Sequence, residues 1–165
     1  MSRTTFIIFT LISAFIFCSQ RPAQPKVWVF DYESVLDSSQ ERQLSDLYRD
    51  HEKKTTNEIV LLTTSSFGKD STIEDYAVGR FNQMGIGKKN INNGVLIVFS
   101  GTHRQVRVAT GYGTEKVLTN DIAQHIIDSI MIPRFKNGEA FLGILNGSKA
   151  IIEFLERPEN KIKSP

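Results

Sequence analysis

Two short stretches hold the groups best suited to grip a small polar ligand. The first is Asn-Ile-Asn-Asn-Gly at 90–94, and the second is Gly-Tyr-Gly-Thr-Glu at 111–115. Asn92 and Asn93 offer amide oxygens and N–H donors, Tyr112 a phenol, and Glu115 a carboxylate. Gly111 and Gly113 bring bare backbone. They either let a ligand approach the main chain closely or merely relax a turn into the next element. Asp31 stands apart, at the end of a short apolar run. Active sites of open sheets sit at such strand ends, but Asp is equally at home capping a turn. The inventory contains no Ser–His–Asp arrangement, because His103 falls at a turn and His125 on a helix.

These groups are brought together by a hairpin. Val95 to Phe99 is fully apolar, and Gln105 to Thr110 alternates, with Val106 and Val108 on one face and Gln105 and Arg107 on the other. Continuous apolarity predicts a strand buried on both faces, and alternation predicts an antiparallel strand near an edge. A two-residue turn at Gly101 and Thr102 sets Ser100 opposite His103. Asn93 then faces Thr110 and Asn92 faces Gly111, so both loops meet at the open end of the hairpin. A one-residue slip changes partners without separating the loops. Arg107 is free to hold an anion or to pair with an acid.

The remaining elements frame that hairpin. Val27 to Phe30 reads as a first strand, and the apolar run from Glu58 as a second. Ser38 with Glu41, and Ser71 with Glu74, match the capping-box spacing and predict helices over about 38–54 and after Ser71. Leu44, Leu47, Tyr48 and His51 recur at helical spacing in the first, and Ile73, Tyr76, Ala77, Phe81 and Met84 in the second. The strand–helix–strand rhythm that leads into the hairpin predicts a right-handed parallel crossover. Two further helices follow, over about 120–130, ended by Pro133, and about 139–155. The class is α/β: a three-layer α/β/α sandwich with a mixed four-stranded sheet, one β-hairpin and about four helices.

Composition narrows the function. The net charge of +2, with no basic run, leaves no electrostatic footprint for nucleic acid. One cysteine and three histidines provide no zinc motif and no disulfide pair. At the N-terminus, Arg3 precedes the apolar run Phe6 to Phe17, which is shorter than the about 20 residues a bilayer requires. A charged start, a short apolar run and a polar exit describe an export signal. Cys18 is either lipidated after cleavage or discarded with the signal; Phe17 departs from the small residue that lipoprotein signals place there. The domain expectation is a signal over 1–18, a tether over 19–26, one domain over 27–156 and a flexible tail over 157–165.

The order of motifs resembles the TPM-domain family. The resemblance rests on "FDYESVLDSSQERQL", "EIVLLTT", "GIGKK", "NGVLIV", "RVATGYGTE" and "IP" followed by "NGEAFLGI", and it covers about Val27 to Leu155. It implies an α/β/α sandwich, export or membrane attachment, calcium in a polar cleft, and the acid phosphatase activity of some plant members. It also implies Asp31, Asn92 and Glu115 as metal ligands, Asp31 and Glu115 as catalytic groups, and Asn92, Asn93, Gly111, Tyr112 and Gly113 as cofactor-binding residues. One position departs from the pattern. Asn92 stands where the family carries Asp, so one negative charge is missing and calcium should bind more weakly. An amide cannot serve there as base or nucleophile. Lys88 and Lys89 either favour an anion or form a solvated loop. These features predict an exported binding, assembly or maintenance module for membrane or envelope proteins, periplasmic or attached through Cys18. The alternative is a low-turnover, metal-assisted acid phosphatase.

Overall fold

A computed structural model describes residues 26–162. The predicted export signal, Cys18 and nearly all of the predicted tether lie outside them. Strands β1 (Val29–Asp31), β2 (Glu58–Thr63), β3 (Gly94–Ser100) and β4 (Gln105–Thr110) form one sheet in that order. The first three are parallel, and β4 runs antiparallel beside β3 at the edge.

The side-chain pattern of β2 and β3 fixes the layers. Ile59, Leu61, Val95 and Ile97 point to one face and pack with Leu44 and Tyr48 of α1 (Ser38–Thr55). The same face receives Ile144, Ile151 and Leu155 of α6 (Ala140–Glu156). Val60, Leu62, Leu96 and Val98 point the other way, against Ile73, Tyr76 and Ala77 of α2 (Ile73–Met84). Burial on both faces explains why neither strand alternates in sequence. Both parallel crossovers step to the next strand in the same direction, yet α1 and α2 lie on opposite faces. The two crossovers therefore have opposite hands, and one of them runs against the usual right-handed preference.

Local chemistry moves several predicted boundaries. The capping box of α1 is built by Asp37 and Gln40, not by Ser38 and Glu41, one position earlier than predicted. Thr72, not Ser71, caps α2 and accepts from the amide of Asp75. Pro133 does not end its helix. After the short helix α3 (Tyr112–Glu115), helix α4 (Asn120–Ile126) passes through a π turn, Ile127–Met131, into α5 (Ile132–Lys136). Proline is tolerated there because it occupies the first turn of the new segment, where its missing N–H costs little. The tail also departs from expectation up to Ile162. A short 3₁₀ turn, Pro158–Asn160, folds back on α6; Asn160 donates to the Phe154 carbonyl at 2.9 Å, and Ile162 packs on the core.

The hairpin register differs by two residues from the predicted one. Ser100 pairs with Gln105 and Val95 with Thr110, so Gly101 to Arg104 form a four-residue turn. An even slip keeps each side chain on its predicted face. Thus the two polar loops still meet, with the Gly111 amide donating to the Gly94 carbonyl at 2.9 Å.

Candidate functional site

The two loops meet through backbone. The Asn92 carbonyl accepts from the amides of Gly113 at 3.0 Å and Thr114 at 3.3 Å, and the Gly111 carbonyl accepts from Glu115 at 2.9 Å. The amides that looked available in the sequence are therefore occupied. The glycines serve this contact. A Cβ on Gly111 would collide with the Asn92 carbonyl, and one on Gly113 with the Ile91 carbonyl. Asn92 itself adopts the left-handed conformation at φ 52, which Asn tolerates better than most residues.

Asn93 is a staple rather than a free ligand group. It is fully buried. Its Nδ2 donates to the Thr56 carbonyl at 2.9 Å and to Asn57 Oδ1 at 3.2 Å, while its Oδ1 accepts from the Lys88 amide at 2.9 Å. Lys88 is likewise occupied, in an ion pair with Glu52. Lys26 pairs with Glu52 at 2.8 Å and with Glu58 at 2.9 Å, and the Trp28 ring N–H donates to Glu52 at 2.9 Å. Burial alone would raise the Glu52 pKa, but hydrogen bonds from Lys26, Lys88 and Trp28 outweigh it and hold the group at about 2.

A cleft of about 320 Å³ opens beside the loop junction, between α2 and the end of β4. Asn92, Gly111, Tyr112 and Glu115 line it; Asn93 and Gly113 do not. The structure adds Glu74 and Val78 from α2, Arg107 from β4, and Asn120 from the start of α4. Arg107 Nη2 donates to Asn120 Oδ1 at 3.1 Å. Among the described residues Arg107, Glu74 and Glu115 make no ion pair. Tyr112 is 81% exposed on the rim. Glu74 was read in the sequence only as a capping residue. Its position one turn before the exposed Val78, on the helix that packs over β4, was the signal available.

Asp31 does not join this cleft. It pairs in register with Thr63, and Thr63 with Phe99, five positions along β3 from Gly94. Five steps at roughly 3.3 Å each place it roughly 17 Å from the loop junction along the strand direction. Its carboxylate accepts from the amides of Val35 at 3.2 Å and Leu36 at 2.8 Å and from the Thr63 hydroxyl. This is the turn-capping use of Asp. Asp31, Asn92 and Glu115 thus do not form one ligand set, and among the described residues no cluster of three His, Cys, Asp or Glu is arranged for a metal. His51 is packed at the α1–α6 interface, 2% exposed, with Nδ1 3.1 Å from Glu156. Burial holds its imidazole below the ordinary value against the opposing pull of Glu156.

Residues 29–154 match the family model for the TPM domain. The chain belongs to the TPM-domain family. Its fold recurs in the solution structure of the N-terminal domain of a protein from P. gingivalis. The two are 30% identical with a TM-score of 0.75, over 83% of this chain and 87% of that one. The BA42 protein from the psychrophilic bacterium Bizionia argentinensis shares the fold at 22% identity and a TM-score of 0.65, over 75% and 83% of the two chains. So does the N-terminal domain of the cg2496 protein from Corynebacterium glutamicum, at 15% identity and a TM-score of 0.62, over 82% and 84%. No curated protein matches. Within this TPM domain, "NGVLIV" and "RVATGYGTE" supply the loop junction and one wall of the cleft beside it, and α2 supplies another.

Proposed function

We propose that this TPM domain is an exported binding module that uses the cleft to engage membrane or envelope proteins, with a weakly held calcium ion among its contacts. One observation carries the reading. Glu74 and Glu115 line the same cleft without a cationic partner, and no nucleophile–base pair accompanies them. The free donors are all oxygen, two carboxylates and the Asn92 side-chain amide, since Asn120 Oδ1 already accepts from Arg107. Calcium takes six to eight such ligands and accepts waters for the remainder. Arg107 in the same lining, and Asn92 in place of the family Asp, both lower the expected affinity. Asp31 has no part in this site. The apolar N-terminal run supports export, and Cys18 is the point where a lipid would attach the domain.

The test is the melting temperature of the purified protein in a calcium titration. A saturable rise is expected, about 2.7 kcal/mol at a hundredfold excess over the dissociation constant. Glu115→Gln should abolish it. A flat curve at millimolar calcium would remove the ion from the reading. Photo-crosslinking from position 112 in intact cells tests the rest. A protein captured in the wild type and lost on Glu74→Arg supports the cleft as its seat; one captured equally by both does not.

Arg107 favours a second reading, a low-turnover acid phosphatase, because a guanidinium without a carboxylate partner is suited to phosphate. Hydrolysis of p-nitrophenyl phosphate that survives Arg107→Ala would exclude the cleft as its site.

A further inference from the structure

A second cavity lies at the opposite end of β3, on the opposite face of the sheet. It has a volume of about 650 Å³ and sits between the hairpin turn and α5, within the range of small-molecule sites. Its floor is aromatic. Phe99 and Phe135 stand with ring centroids 4.8 Å apart, and Ile132 and Ala140 extend the apolar wall. Its polar groups are two cations, Arg104 and Lys136. Neither makes an ion pair or a side-chain hydrogen bond among the described residues.

Of the nearby acids, Glu33 is hydrogen-bonded to the turn at the cavity edge and Glu139 is ion-paired. Glu33 accepts from the amides of Gly101 at 2.9 Å and Thr102 at 2.7 Å and from the Thr102 hydroxyl at 2.6 Å. Glu139 pairs with Arg134 at 3.0 Å. The Glu33 carboxylate lies beside Gly101, so the mouth of the cavity carries two cations against one hydrogen-bonded carboxylate, an excess of positive charge over an apolar floor. The placement of Arg104 adds to this. It closes the hairpin turn at φ 54, a conformation that favours Gly or Asn. A long cationic side chain is carried where turn geometry alone would select a residue with none.

We propose that this cavity binds a small amphipathic anion: a phosphate or carboxylate headgroup held by Arg104 and Lys136, with an aromatic or short acyl body against Phe99 and Phe135. The site is independent of the α2 cleft. Two sources supply such chemistry, a soluble aromatic metabolite and a lipid-derived anion with a short acyl or alkyl chain, and the probes below separate them.

The experiment is calorimetric titration of the purified protein with phenyl phosphate, hexyl phosphate, inorganic phosphate and benzyl alcohol. Saturable one-to-one binding of the first two is expected, with the other two at least about tenfold weaker, since each lacks one half of the recognition. Tighter hexyl phosphate marks the acyl source, and tighter phenyl phosphate the aromatic one. Arg104→Gly relieves the turn conformation, so it should leave the melting temperature unchanged or raised while weakening binding about tenfold. Gly101→Leu is the occluding variant. A Cβ there meets Phe99 at 3.5 Å and the Glu33 carboxylate oxygens at 3.6 and 3.7 Å, all ordinary contacts, so the chain folds while the added side chain covers the floor, and binding should vanish. The proposal is overturned if neither organic phosphate saturates by millimolar concentration. It is equally overturned if inorganic phosphate matches phenyl phosphate, or if binding persists in both Arg104→Gly and Gly101→Leu.

Discussion

The two ends of β3 use carboxylates in opposite ways. At the hairpin-turn end, Asp31 and Glu33 are saturated by backbone amides and hydroxyls. At the loop-junction end, Glu74 and Glu115 line a cleft and have no partner of opposite charge among the described residues. Acids satisfied by the main chain hold loops in place, and removing Asp31 strands part-buried donors. Acids left open contribute little to the fold and are free for a ligand. Residue type does not separate the two uses; the neighbours do.

The strongest challenge to this contrast uses no carboxylate at all. Gly113→Ala should cost about 3 kcal/mol or more, because its methyl group meets the Ile91 carbonyl and two backbones must part. A chemical denaturation curve measures it. A loss under 1 kcal/mol would mean that the loop junction yields easily, and the cleft could not be treated as a fixed frame.

Next in size comes the direct comparison. Asp31→Ala should destabilise by about 2–3 kcal/mol, since it leaves the Val35 and Leu36 amides and the Thr63 hydroxyl proton without their acceptor. Glu115→Gln should change stability by less than about 0.5 kcal/mol. Equal losses would collapse the distinction between the two ends.

The smallest effect concerns acid. The folded pKa of Glu52 is about 2, against an ordinary value of 4.5. A carboxylate depressed on folding adds stability that is fully present above its unfolded pKa and is lost as pH falls through the folded one. Melting temperature should therefore decline between pH 4.5 and 2, and more steeply in the wild type than in Glu52→Gln. Parallel declines would show that the Lys26–Glu52–Lys88 cluster contributes nothing net.

Much of this arrangement was legible in the sequence. The continuous apolarity of β2 and β3, the alternation of β4 and the helical spacing of Leu44, Tyr48 and His51 each have one physical reading, and the fold follows from them. The meeting of the two loops survived a two-residue error in register because side-chain direction repeats every two residues. Caps were misplaced because Asp37 and Ser38 are both good capping residues, and so are Ser71 and Thr72; only backbone angles choose between neighbours. Pro133 misled because proline both stops helices and starts them. The placement of Asp31 follows from strand direction alone. In parallel strands the end of β1 lies opposite the start of β3, so Asp31 could not have met Asn92. The roles of Asn93 and Lys88 were not available, because their partners Thr56, Asn57 and Glu52 come from a segment about 36 residues earlier in the chain.

The uneven helix layers carry a consequence for motion. Face one is covered by α1, α4, α5 and α6 packed on one another, whereas α2 alone covers the other face. Cooperative opening units follow such packing boundaries. The amides of α2 should therefore exchange with solvent before those of α1 and α6, without global unfolding. Each opening would uncover Val60, Leu62, Leu96 and Val98 and would carry Glu74 away from Glu115. A ligand that bridges those two carboxylates would slow that exchange before it altered anything else in the molecule.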